Sequence, residues 1–247
     1  MQALSDALPS LEDQAYQRLR QALVEGVFVP GQKLSIRRIA AALGTSPMPA
    51  RTALRRLAAE RAVDVLPSGT ATVPRLTRAA FAELGAIRAS LEPLAVRLAT
   101  PLIDAAARAT LAEHLHAEHA ARESGAPEDL LRADRGFLFA LYRAADAPML
   151  LGMIEAAWLR RGPHFWDARW LLIGRVPGAA RHAEVLAAIE AGQGETAATL
   201  LREEIESTTA YLLERMRFAD DPPAPEGAAA LGPVDRPPAR RRAGNLA

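Results

Sequence analysis

Arg51 and Arg55 stand four residues apart, with Arg56 adjacent. At about 100° per residue, a helix carries such a pair on one face. Guanidinium forks displayed side by side can bridge guanine edges bidentately or clamp phosphates. Ser46, just ahead of this segment, would cap the helix, and its hydroxyl with the free N–H groups of the first turn suits a phosphate. Gly69, in the turn Pro67–Thr70, permits close approach of a backbone. Periodicity alone weighs a solvated arginine face as heavily as a nucleic-acid contact.

Charge is distributed unevenly. Residues 1–76 carry ten Lys/Arg against six Asp/Glu, whereas residues 77–218 carry sixteen against nineteen. A basic N-terminal third beside an acidic remainder points to a local surface for polyanions.

The elements that must position these arginines can be read from pattern. Residues 11–25 form an amphipathic helix with Ala15, Leu19, Ala22 and Leu23 on one face, ended by the turn Pro30-Gly31. Ser35 caps a short helix carrying Ile36, Ile39, Ala40 and Leu43, which Gly44 closes. The third helix starts after Ser46 with Pro47 at its first position, where the missing N–H costs nothing, and runs to about Arg61. Pro49 also lies in that first turn. Val63–Leu66 and Ala71–Val73 then flank a Pro/Gly turn, the pattern of a hairpin. Three helices followed by a hairpin make a winged helix-turn-helix, whose recognition helix lies in the major groove.

From Thr77 the pattern is helical, with expected helices over 77–98, 104–123, 128–144, 148–159, 166–173, 177–191 and 194–217. Half of the 247 residues are apolar and only 5% are aromatic, a balance that favours helices. The fold class is therefore mainly α: a winged helix-turn-helix over 1–76 with a small hairpin wing, then an all-α bundle over 77–218. Residues 219–247, rich in Pro, Ala and Arg, read as a disordered tail, a spectator first and, through Arg240-Arg241-Arg242, a salt-sensitive DNA contact as the second reading. The absence of cysteine excludes disulfides and thiolate metal sites. No run approaches the roughly 20 apolar residues of a membrane span. Residues 1–10 carry Asp6 and no basic stretch before an apolar run, so they do not read as a secretory signal. A soluble cytoplasmic protein without membrane partners is expected.

The ordered run Tyr16-Gln-Arg-Leu-Arg20, Gly26-Val-Phe-Val-Pro30-Gly31-Gln-Lys-Leu34, Leu43-Gly44-Thr-Ser46, Pro49-Ala-Arg51-Thr-Ala53-Leu54 and Leu57 resembles the winged-helix domain of GntR-family transcription regulators. Arg88-Ala-Ser-Leu91-Glu92-Pro-Leu-Ala95 resembles the opening helix of the FadR-like, all-helical FCD-type ligand domain. Together the two resemblances span about residues 11–215. They imply a cytoplasmic homodimer that binds a double-stranded DNA operator and is controlled, as a repressor, by a small effector, a carboxylate. By position they imply DNA contacts from Arg37, Ser46, Pro47, Met48, Pro49 and Arg51, and from the wing at Ser68, Gly69 and Thr70; helical spacing adds Arg55 beside Arg51. Pro47 stands where the family usually has Arg, Thr52 where it has Glu, and Arg61 where it has Gly. A changed operator follows, with Met48 offering an apolar contact to a thymine methyl.

Most FadR-like sensor domains hold a divalent metal through an Asp and three His. The motif here reads Asp134-Arg-Gly-Phe137-Leu138, with leucine in place of the first histidine; His182 matches the second and Glu204 falls at the third. The resemblance thus implies an incomplete site of Asp134, His182 and Glu204 for zinc, manganese or nickel. The alternative is an apolar cavity without metal. Arg88 falls where the family places a cavity-facing arginine, so Arg88, Asp134 and His182 are the expected effector contacts. A plain ion pair of Arg88 with Glu92 four residues on is the competing reading. Trp158, Trp166 and Trp170 fit a cavity wall or a core, and His114, His116 and His119 a solvated face.

An enzyme using a metal-activated water is the rival class. No G-x-S-x-G elbow, phosphate-binding glycine loop or cysteine nucleophile supports it. A third reading is a regulator whose helical domain only dimerises, which would leave that domain without a pocket.

Overall fold

The computed structural model describes residues 10–66, 70–174 and 181–221. The wing residues Ser68 and Gly69, and the tail beyond 221 with its arginine cluster, lie outside the described residues. The chain runs α1 (Leu11–Val24), β1 (Lys33–Leu34), α2 (Ile36–Leu43), α3 (Pro47–Ala59), β2 (Asp64–Val65), β3 (Ala71–Thr72), α4 (Arg78–Ala99), α5 (Ala105–Ser124), α6 (Pro127–Ala144), α7 (Pro148–Asp167), α8 (Arg169–Leu172), α9 (His182–Glu190) and α10 (Gly194–Arg215). No helix among the described residues is long and apolar enough to cross a membrane.

The head is built as its capping signals dictate. Ser10 accepts the Asp13 N–H and starts α1. Gly44 closes α2 in the left-handed region at φ 65°, a conformation that glycine adopts without a Cβ penalty, and so turns the chain into α3. Pro47 takes the first turn of α3. Ser35 and Ser46 occupy the N-cap positions but make no side-chain cap bond. Ala53, Leu54 and Leu57 turn inward beneath α1, leaving the opposite face of α3 exposed.

The wing differs from the expected hairpin by one strand. β1 pairs antiparallel with β3, so the sheet order is β1-β3-β2, with Lys33 and Asp64 both opposite Thr72. A two-residue strand is too short for alternation to register, and only the burial of Leu34 marks it.

In the bundle, α10 packs along α4, and α5 pairs with α6. Thr77 and Asp104 cap α4 and α5 through the N–H groups of Ala80 and Ala107. α7 continues through Gly162-Pro163 to Asp167, past its expected end at residue 159. An interior proline costs a helix about 3 kcal/mol. Burying Trp158, Leu159 and Phe165, each worth about 1.5–3 kcal/mol, offsets that cost. α8 is consequently reduced to four residues, and the described part of α9 begins at His182.

Head and bundle are in direct contact. α7 crosses α1 so closely that a Cβ on Gly162 would overlap the Leu23 carbonyl and lie 2.7 Å from that of Val24. Arg160 donates to the Glu60 carbonyl at 2.7 Å, and His164 Nε2 accepts the Leu76 N–H at 3.2 Å on the connection into α4.

Candidate functional site

Arg37, Ser46, Pro47, Met48, Arg51 and Arg55 are all exposed. Arg37, Arg51 and Arg55 have no carboxylate partner among the described residues, whereas Arg56 is held by Asp13 at 2.6 Å and lies over the Tyr16 ring at 3.9 Å. Arg56 thus belongs to the α1–α3 contact. The other three present unengaged guanidiniums, as a phosphate-binding face requires. Met48 is 59% exposed at the start of the helix, where an apolar tip has no internal role. Pro49 departs from the expected set, because its ring is buried in the head and unavailable to a DNA contact. Thr70 is half-buried, and its carbonyl accepts the Leu66 N–H that closes the wing.

The second site lies inside the bundle. Arg88 (α4), Glu118 (α5), Asp134 and Leu138 (α6), Arg161 (α7), His182 (α9) and Glu204 (α10) line one cavity of about 50 Å3. The sequence-derived trio does come together: one ligand atom from each of Asp134, His182 and Glu204 lies within 4.8 Å of the others. His182 is fixed by its neighbours. Its Nδ1 meets Glu118 Oε1 at 2.6 Å, its ring stacks on Phe137 at 4.3 Å, and Nε2 stands 3.5 Å from Glu204 Oε1. Nε2 is buried without a hydrogen-bond partner. Burial disfavours a charged imidazole, but Glu204 and Glu118 more than offset it and raise the pKa to about 10.

The two carboxylates differ. Burial pushes Glu204 above the usual range, only partly opposed by His182; its Oε2 accepts the Arg181 N–H. Burial acts upward on Asp134 as well, yet Arg161, 2.8 Å away, and His182 bring it below the ordinary value. Arg161 thus holds Asp134 Oδ2 and the Arg181 N–H holds Glu204 Oε2, while Glu204 Oε1 faces His182 Nε2. Together with His182 Nε2 this is an N/O/O donor set that fits a divalent ion, which would displace the imidazolium proton, and the Glu118 bond to Nδ1 would be the outer-shell contact that orients the histidine. Leu138 contributes no donor, which leaves a coordination position for water or ligand.

Arg88 is placed at the cavity but is largely spoken for. Its Nε and Nη2 donate to the two oxygens of Glu92 at 2.7 and 3.1 Å, both side chains being buried. Glu92 also accepts from Tyr142 at 2.6 Å and Trp158 at 2.8 Å. The ion pair with Glu92 is thus present, as a buried four-bond centre rather than a surface pair. Arg161 is the less satisfied cation. Its guanidinium is sandwiched 3.8 Å from both the Trp158 and Phe165 rings, and its buried Nε has no partner.

Sequence reasoning missed Glu92 as an acceptor centre, Glu118 and Arg161. Each sits on an apolar helix stripe: Glu118 seven residues after Leu111, and Arg161 between Trp158 and Phe165. An isolated charge on a buried stripe was the available signal. Of the tryptophans, Trp158 serves the Glu92 centre and Trp170 is exposed; His116 and His119 are exposed and His114 is half-buried.

An α2–α3 pair with a wing, joined to a helical bundle that encloses a charged cavity, defines a DNA-binding regulator with a ligand-binding domain. The described features agree with the comparisons: residues 11–73 match the bacterial regulatory proteins of the gntR family and residues 83–207 match the FCD domain. The chain belongs to the GntR family, in its FCD-containing, FadR-like branch. It is 36% identical over 154 residues to the transcriptional regulator McbR of Escherichia coli, covering 62% of this chain and 70% of that protein. It is 26% identical over 145 residues to the transcriptional repressor RspR of E. coli, covering 59% of this chain and 64% of that protein. The solved structure of E. coli McbR/YncC superposes with a TM-score of 0.75 at 30% identity, over 84% of this chain and 99% of that one. A GntR regulator from Rhodococcus sp. RHA1 gives 0.68 at 27% identity, over 84% and 100%. These relatives are transcription regulators, not enzymes.

Proposed function

We propose that the chain is a cytoplasmic, homodimeric repressor, divided at residues 76/77, whose operator affinity is set by a small carboxylate in the bundle cavity. Two subunits place their α3 helices in successive major grooves, with Arg37, Arg51 and Arg55 on phosphates or guanines, Ser46 and Pro47 against the backbone, and Met48 against a base edge. Ser68, Gly69 and Thr70 of the wing complete the contact. Asp134, His182 and Glu204 hold one zinc, manganese or nickel ion, which when bound supplies a Lewis-acidic anchor for the effector carboxylate. Arg161 grips that carboxylate through its free Nε, and Arg88 supplies positive potential from within its pair with Glu92.

One observation carries the effector reading. Two buried nitrogens without a hydrogen-bond partner, His182 Nε2 and Arg161 Nε, belong to side chains lining the same cavity. A buried polar atom without a hydrogen bond costs about 1–3 kcal/mol, so two of them on one cavity favour a polar ligand there. Control follows if the effector binds one arrangement of heads better than the other.

The test has two arms. Metal content of the purified, tag-free protein should be stoichiometric and be lost in Asp134→Ala; no uptake after incubation with zinc, manganese and nickel rejects the metal. An operator selected from random duplex DNA should be released by a small carboxylate from wild type but not from Arg161→Met. Failure of every small carboxylate to change operator affinity rejects the effector.

A further inference from the structure

A second cavity, of about 260 Å3, opens where the head meets the bundle, walled by Arg20 (α1), His114 (α5), Arg132, Arg135 and Arg143 (α6) and Glu155 (α7). It is separate from the cavity around His182 and from the exposed face of α3. Residues 132, 135, 139 and 143 follow helical spacing, so α6 turns one basic stripe toward α1. Gly136 on the same stripe lets the His114 ring seat directly against the α6 backbone, where a Cβ would collide with it.

The charges do not cancel. Arg20 meets Glu155 at 3.0 Å, Arg135 meets Glu25 at 3.3 Å and Arg132 meets Asp129 at 2.6 Å. Arg143 has no carboxylate partner among the described residues and only faces the Phe139 ring at 5.3 Å. Four guanidiniums, one from α1 and three from α6, thus converge on one concave space and are met by three carboxylates. Each guanidinium has five N–H donors in a planar fork, more than a single carboxylate contact uses. The Arg20–Glu155 and Arg135–Glu25 pairs both cross the junction, so a ligand here touches the contacts that set the head's position.

We propose that this junction cavity binds a small multivalent oxyanion, a phosphate-bearing or polycarboxylate metabolite, bridging Arg143 and Arg132 of the bundle to Arg20 of the head. Oxyanions of this kind match arginine forks bidentately. Bound across the junction, the ion restrains α1 against α6 and acts on operator affinity as an input distinct from the effector in the bundle cavity.

The test is calorimetric titration of the full chain at fixed ionic strength with two probes, inorganic pyrophosphate and citrate. One probe should saturate at one ion per chain, and which one it is assigns the phosphate or the polycarboxylate class. Arg143→Ala and Arg132→Ala, exposed positions whose loss should leave the circular dichroism unchanged, should each weaken uptake tenfold or more. Arg20→Gln should weaken it as well and reduce any effect of the ion on operator affinity. The proposal is overturned if neither probe saturates, or if uptake survives Arg143→Ala and Arg132→Ala together. It is equally overturned if uptake is abolished by Arg51→Ala, which places the ion on the DNA face, or by Arg161→Met, which places it in the bundle cavity. Operator binding by the ion-free protein is a separate measurement, so its failure would be distinguishable.

Discussion

Glu92 is fully buried and accepts four hydrogen bonds, two from Arg88 and one each from Tyr142 and Trp158. Glu92→Leu removes every acceptor at once while roughly keeping the volume. The Arg88 guanidinium, 4% exposed, is then a buried charge without its counter-ion, a loss worth about 3–5 kcal/mol. The Tyr142 hydroxyl and Trp158 N–H lose their acceptor too, at about 1–3 kcal/mol each before relaxation. Such terms overlap, so a net cost of about 4 kcal/mol is expected. At roughly 2–4 °C per kcal/mol for a chain of this size, the midpoint of thermal unfolding falls by about 8–16 °C. Adding Arg88→Met removes the stranded charge and leaves only the two orphaned donors. The double variant should therefore be more stable than Glu92→Leu alone by about 2 kcal/mol, measured by urea unfolding of both proteins beside wild type. If Glu92→Leu costs under 1 kcal/mol, or if Arg88→Met makes it worse, Glu92 is not the counter-ion. Arg88 would then regain its claim as the main effector clamp.

Three further outcomes follow from the same contacts. Arg51→Ala and Arg55→Ala should each lower the slope of log affinity against log salt by about one, if they contact phosphate; in fluorescence anisotropy Arg56→Ala should leave that slope unchanged. Burial lowers the His164 pKa below 6.5, the Arg160 carbonyl only partly opposing it, and the neutral ring accepts from Leu76. A base with a depressed folded pKa contributes stability that is complete above pH 6.5 and lost as pH falls through its folded value. Urea midpoints should thus drop below pH 6.5, and a drop equally steep in His164→Phe would exclude His164 as its source. Gly162→Ala gains about 1 kcal/mol of helix propensity but sets a Cβ against the carbonyls of Leu23 and Val24, an overpacking worth about 1–3 kcal/mol. Backbone atoms cannot rotate aside, so the variant should unfold at lower urea than wild type; a stabilised variant would show that the α1–α7 crossing gives way.

What could be read in the sequence depended on how many residues shared in each signal. The α3 face was legible because Ala53, Leu54 and Leu57 repeat at helical spacing and leave Arg51 and Arg55 opposite them. The strand Lys33–Leu34 offered two residues, which no period can reveal. The proline in α7 misled for a different reason: local chemistry argues for a break at Pro163, and only tertiary burial of Trp158 and Phe165 on either side reverses it. Asp134, His182 and Glu204 were reachable because a family motif spaces them, although they come from three helices. Their partners were not. Glu118 and Arg161 each interrupt a buried apolar stripe, and a single charge on a stripe reads as an interruption of the core. Physics gives such an interruption the opposite weight. A buried charge persists only where a partner meets it, so each lone charge on a buried stripe predicts another across the core. Glu118 answers His182 and Arg161 answers Asp134 across the core, whereas Glu92 answers Arg88 along α4 itself. Those three pairs enclose the cavity, and the atoms they leave unpaired are the ones a ligand would have to satisfy.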